Sequence, residues 1–134
     1  MTQNAAVLIV DDDPDVRSFV VTVLEENGFK PDTAVDGVQG LELVQKNKPD
    51  LVILDVLMPR SSGIRLYRKL KTRKDLMTIP VIMLTGIALK SFLKSQKALD
   101  EFGDSPVPEP QIYLEKPVDP EDLATAVKLA LAGQ

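Results

Sequence analysis

Four short apolar runs in the sequence end directly in polar residues that can do chemistry. Residues 6–10 are followed by Asp11, Asp12 and Asp13, and residues 51–54 by Asp55. Residues 81–84 are followed by Thr85, and residues 112–114 by Glu115, Lys116 and Pro117. Carboxylates brought together repel one another and call for a cation. A donor set made only of oxygen suits a hard divalent ion, for which Mg2+ is the natural choice. A carboxylate such as Asp55 is also a nucleophile toward phosphorus, because it forms an acyl phosphate. Lys116 can pair with Asp55 or Asp12 at rest and with a phosphoryl oxygen later. Thr85 can donate a hydrogen bond to another phosphoryl oxygen. Phosphoryl transfer asks mainly for positioning and charge neutralisation, and this set supplies both.

The elements that must position these groups follow from the hydrophobic pattern. The four runs are continuous rather than alternating, as in strands buried on both faces of a parallel sheet. A weaker strand lies near residues 30–35. Helical patterns fill the gaps. Asp13 caps and Pro14 opens the first helix, whose stripe is Val16, Phe19, Val20 and Val23, stopping near Asn27-Gly28. Residues 38–46 and 64–71 form shorter helices. Leu89, Phe92, Leu93, Leu99 and Phe102 mark another, and Pro120 opens the last, with Leu123, Ala126, Val127 and Ala130 on one face. Five β-α units with right-handed crossovers give a parallel sheet covered on both sides. Ligands bind such a sheet at the carboxyl ends of its strands, where the polar residues lie. The basic stretch Arg60, Arg65, Arg68, Lys69, Lys71, Arg73 and Lys74 reads as a solvated helix face.

Composition narrows the chemistry. A chain of 134 residues suits one domain. With no cysteine there is no thiolate metal site or cysteine nucleophile. With no histidine, any phosphohistidine must sit on a partner. A net charge of −4 argues against direct nucleic-acid binding. No apolar run is long enough to span a bilayer and no signal-peptide pattern is present, so the expected location is cytoplasmic.

The motifs Val10-Asp-Asp12, Asp55-Val-Leu-Met-Pro59 with Gly63, Leu84-Thr85-Gly86 and Tyr113-Leu-Glu-Lys-Pro117 resemble those of the receiver domains of two-component response regulators. The likeness covers nearly the whole chain, 1–134, as one domain. It implies a flavodoxin-like (βα)5 α/β sandwich with strand order 2-1-3-4-5. It also implies roles. Asp55 accepts the phosphoryl group and ligates Mg2+, with Asp12 as a direct ligand, Asp11 acting mainly through water or hydrogen bonds, and the Leu57 backbone carbonyl completing the set. Thr85 and Tyr113 form a switch pair, the hydroxyl moving toward the phosphoryl group and the ring turning inward. The Lys116–Pro117 peptide is cis. The donor is a histidine kinase or phosphotransfer protein. The only activities are the domain's own phosphorylation and dephosphorylation, so it is not an enzyme with turnover on an outside metabolite.

Two features depart from that family. The stretch between Thr85 and Lys116 is several residues longer than usual, the surplus lying around residues 97–111 with a proline-rich loop at 104–110. The expected state is a monomer or weak homodimer, with the pairing geometry left open. Leu57 and Ile87 are apolar where many relatives carry polar groups that orient an attacking water, so slow self-dephosphorylation is expected. Three other functions compete. An aspartate-nucleophile phosphohydrolase needs a second Asp two residues after the first, where Leu57 stands. A phosphorylation-independent interaction domain would not need the full acidic set, Thr85 and Lys116. A nucleotide-binding domain would show a G-x-G-x-x-G or G-x-x-x-x-G-K-[ST] motif, and neither occurs.

Overall fold

The computed structural model describes residues 4–94 and 108–133. Five strands, β1 (Ala6–Val10), β2 (Lys30–Ala34), β3 (Leu51–Leu54), β4 (Val81–Thr85) and β5 (Ile112–Glu115), form one sheet in the order β2-β1-β3-β4-β5. Every pairing is parallel. The helices are α1 (Pro14–Glu26), α2 (Gly37–Asn47), α3 (Ser62–Thr72), α4, described over 89–94, and α5 (Pro120–Ala132). This is the flavodoxin-like arrangement expected of the sequence. Leu99, Phe102 and most of the long stretch before β5 lie outside the described residues.

The period of two along each strand divides the core. Val7, Ile9, Leu51, Ile53, Ile82 and Leu84 face α1 and α5, packing on Val20, Val23, Leu24, Leu123 and Val127. Leu8, Val10, Val52, Leu54, Val81 and Met83 face the other way, onto Val44 of α2, Leu66, Tyr67 and Leu70 of α3, and Phe92 of α4. Both faces of β1, β3 and β4 are therefore covered, which is why those runs are continuous. The same reading overstates β5. As an edge strand it is only half-buried. β2, the other edge, alternates between exposed and covered positions, and it tolerates Pro31 because an edge strand can spare an N–H.

Local signals set the helix ends. The Asp13 side chain accepts from the Asp15 amide at 2.9 Å, and Pro14 opens α1. Asp36 caps α2 by accepting from Gln39 at 2.8 Å. α3 follows a 3-10 turn, Pro59–Ser61, in which Arg60 takes a left-handed backbone with φ 59°. One expectation for α3 fails. Lys71 is not on a solvated face but buried, its Nζ donating to the Ile79 carbonyl at 2.8 Å. The ammonium closes the turn leading back to β4, and burial lowers its pKa below the usual lysine value.

Candidate functional site

The parallel register delivers the polar residues to one end of the sheet. Asp55 directly follows β3, and its amide donates to the Val10 carbonyl at 3.0 Å, tying the ends of β3 and β1 together. The Asp11 amide donates to the Ala34 carbonyl at 3.1 Å, tying β1 to β2. Both aspartates are buried, at 2 % exposure for Asp11 and 4 % for Asp55. α3 closes against this end through Gly63. A Cβ there would lie 2.3 Å from the Asp55 carbonyl oxygen and 2.7 Å from the Val56 Cα. Only a hydrogen fits, so the glycine of the sequence motif is a packing requirement beside Asp55.

Lys116 bridges the two buried carboxylates. Its Nζ lies 2.8 Å from Asp11 Oδ2 and 3.1 Å from Asp55 Oδ2. The alternative of a resting pair with Asp12 is thereby corrected. Asp11 points into the cleft from the buried end of β1, whereas Asp12 is exposed. Asp12 has no hydrogen-bond partner among the described residues. The remaining oxygens are also engaged. Asp55 Oδ1 accepts from the Leu57 amide, and Asp11 Oδ1 from the Asp13 amide, each at 2.9 Å. Arg17 Nη1 donates to the Asp11 carbonyl at 2.8 Å. Sequence reasoning passes over Arg17, although its place four residues after the cap, on the first turns of α1, is a signal that it can reach back.

The electrostatics follow from this crowding. Burial raises the pKa of Asp11 above its usual value, against the opposing pull of Lys116 and the Asp13 amide. For Lys116 burial alone would lower the pKa, but the hydrogen bonds to Asp11 and Asp55 prevail and raise it. One ammonium faces three carboxylates whose oxygens lie within 4.8 Å of one another. The excess negative charge, the oxygen-only donors and the unpartnered Asp12 fit a hard divalent cation.

Thr85, at the end of β4, is fully buried. Its Oγ1 accepts a long hydrogen bond, 3.5 Å, from the Ile87 amide. Tyr113 lies on β5 opposite Met83, and its hydroxyl donates to the Ile87 carbonyl at 2.6 Å. Its ring packs on Phe92 at a centroid distance of 5.4 Å. Burial, then the charges of Glu115 and Asp55, push its pKa up to about 12. The Lys116–Pro117 bond is cis. Leu57 is 57 % exposed, and its Cδ1 comes within 3.8 Å of the position a Cβ on Gly86 would take. An apolar side chain thus leans across the mouth of the site toward Gly86.

A parallel five-stranded sheet with this acidic cleft is the architecture of the response regulator receiver domain, whose family model matches residues 7–128. The chain belongs to that family and is a receiver domain of two-component response regulators. It is 31% identical over 128 residues to Protein Rrf1 of Nitratidesulfovibrio vulgaris, covering 96% of this chain and 83% of that protein. It is 38% identical over 104 residues to the response regulator MprA of a Mycobacterium species, covering 78% of this chain but only 44% of MprA. Among solved structures it resembles the signal receiver domain of a signal transduction histidine kinase from Syntrophus aciditrophicus. That match has a TM-score of 0.80 and 32% identity, over 96% of this chain and 91% of the other. Among the described residues no helix is long and apolar enough to cross a membrane.

Proposed function

We propose that Asp55 accepts a phosphoryl group from a phosphohistidine on a histidine kinase or phosphotransfer protein, and that the acyl phosphate switches an output surface. The observation that carries this reading is the convergence of buried Asp55 and Asp11 on one ammonium, with Asp12 free beside them. A Asp55 carboxylate oxygen forms the new O–P bond as the P–N bond to the donor imidazole breaks, and the imidazole leaves with the electron pair. Lys116, now balancing two carboxylates, is within reach of the added phosphoryl charge. Thr85 supplies its hydroxyl to a phosphoryl oxygen by leaving its long contact with Ile87. Asp11, Asp12, Asp55 and the Leu57 carbonyl would hold Mg2+, which when bound neutralises charge developing on the phosphoryl oxygens.

Leu57 and Ile87 keep an attacking water from settling beside the acyl phosphate, so self-dephosphorylation is slow. The domain has no turnover on an outside metabolite. The partner presents its phosphohistidine beside a recess of about 520 Å³ next to Lys116, lined by Val16, Phe19, Leu84, Pro117 and Val118. Such a wall accepts an apolar protein surface. The chain's net charge of −4 disfavours a nucleic-acid backbone as a direct partner. The test is to incubate the chain with Mg2+ and a small acyl phosphate and measure intact mass. One phosphoryl adduct is expected on the native chain and none on Asp55→Asn. An adduct of equal yield on the variant refutes the assignment.

A further inference from the structure

The five residues 85–89, which carry Thr85 and lead into α4, are held at three points by β5 and the residue that follows it. The Lys116 amide donates to the Thr85 carbonyl at 2.8 Å, continuing the sheet. The Tyr113 hydroxyl donates to the Ile87 carbonyl at 2.6 Å. The third contact comes from Glu115, whose Oε1 accepts from the Leu89 amide at 3.1 Å. Leu89 is the first residue of α4, and the residue before it is Ala88, which has no side-chain acceptor. The first amides of a helix need an acceptor, and alanine is among the poorest N-caps. A neighbouring strand therefore supplies the cap that the local sequence lacks. A carboxylate at that end is also favoured by the helix dipole.

Tyr113 and Glu115 are two residues apart on β5, so they project to the same side. Together they fix both ends of segment 87–89, with the Tyr113 ring packed on Phe92. Resting on the phosphoacceptor reading above, we infer that Glu115 is a positioning residue for phosphoryl capture. By capping α4 from β5, it preorganises the Thr85–Gly86 loop in the arrangement that closes on a phosphoryl group at Asp55. A loop that must first be ordered binds more weakly by the fraction of time it is ordered.

The experiment is a titration with beryllofluoride, a phosphoryl mimic, in saturating Mg2+, on the native chain, Glu115→Gln and Glu115→Ala. Amide hydrogen exchange at Leu89 and the residues after it is followed in parallel. For an exposed cap, Glu115→Ala is expected to weaken beryllofluoride binding about threefold and to speed exchange at the start of α4. Glu115→Gln keeps an amide oxygen for Leu89 and stays near the native affinity. Faster exchange in Glu115→Ala with unchanged beryllofluoride affinity makes Glu115 a structural cap only and overturns the inference. Equal weakening in Glu115→Gln and Glu115→Ala also overturns it, because the effect would then be charge rather than capping. A native chain that binds no beryllofluoride overturns the phosphoacceptor reading itself, a failure visible before any variant is compared.

Discussion

Replacing Asp55 by asparagine is expected to stabilise the fold when no divalent metal is present. The Asp55 carboxylate lies within 4.8 Å of its counterparts on Asp11 and Asp12 and 3.1 Å from the Lys116 ammonium. At an effective dielectric of about 20, the repulsion from Asp11 is about 3.5 kcal/mol and the attraction to Lys116 about 5 kcal/mol. Asp12 is exposed, so its share is screened to about 1 kcal/mol. These contributions nearly cancel, which leaves the cost of holding an ionised carboxylate at 4 % exposure. Asparagine avoids most of that cost. It also keeps an oxygen for the Leu57 amide at 2.9 Å, while Lys116 keeps Asp11 at 2.8 Å. The expected gain is about 1–2 kcal/mol, set by the desolvation penalty less what the Lys116 contact returned. Urea unfolding in a chelator measures it as a higher midpoint at unchanged slope. Millimolar Mg2+ should then narrow the difference, because a ligand that binds only the folded state stabilises in proportion to its occupancy, and the variant has lost a ligand. An Asp55→Asn chain less stable than the native one in chelator, or an equal magnesium-induced gain in both, would refute this account of the cleft.

Other outcomes follow from the same geometry. Gly63→Ala must push α3 away from the Asp55 carbonyl, where a Cβ would sit at 2.3 Å. It is expected to cost about 2 kcal/mol in urea unfolding and to slow adduct formation at Asp55; an unchanged midpoint would show that α3 shifts freely. Exchanging Leu57 for Gln and Ile87 for Glu should shorten the acyl-phosphate lifetime roughly tenfold, equivalent to about 1.4 kcal/mol of barrier. Timed intact mass checks this, and a native half-life of seconds would refute it. Tyr113 holds its proton up to about pH 12 rather than 10.0. The unfolded chain therefore ionises this hydroxyl first, and stability falls as pH rises through that window. Tyr113→Phe should lose less stability across the window than the native chain, measured as urea midpoints at stepped pH; parallel profiles would refute the shift.

What the sequence makes legible here tracks how strongly each position is constrained by burial. β1, β3 and β4 read correctly because both of their faces are covered, so every position before the polar strand end is apolar. The residue that ends such a run is then conspicuous, and Asp11, Asp55 and Thr85 are readable for that reason. β5 has the same look but less cover, and its three apolar or aromatic positions, Ile112, Tyr113 and Leu114, do not reveal whether a strand is central or at an edge. Side-chain pairings are harder to read than placements. Asp11 and Asp12 are adjacent and chemically identical, and only the pleat decides that Asp11 turns inward to Lys116 while Asp12 faces solvent. Lys71 illustrates the converse. Within a basic stretch nothing in its type separates it from Lys69, yet the helix phase buries it and the Ile79 carbonyl receives its ammonium. The Glu115 cap is of the same kind. Its signal is a deficiency, Ala88 before a helix, joined to an acceptor 26 residues beyond Leu89, and it becomes visible only when the parallel register sets Glu115 opposite Thr85. In this chain, position along the sheet is written in local pattern, whereas the choice among equivalent polar partners is made by the register that brings distant segments together.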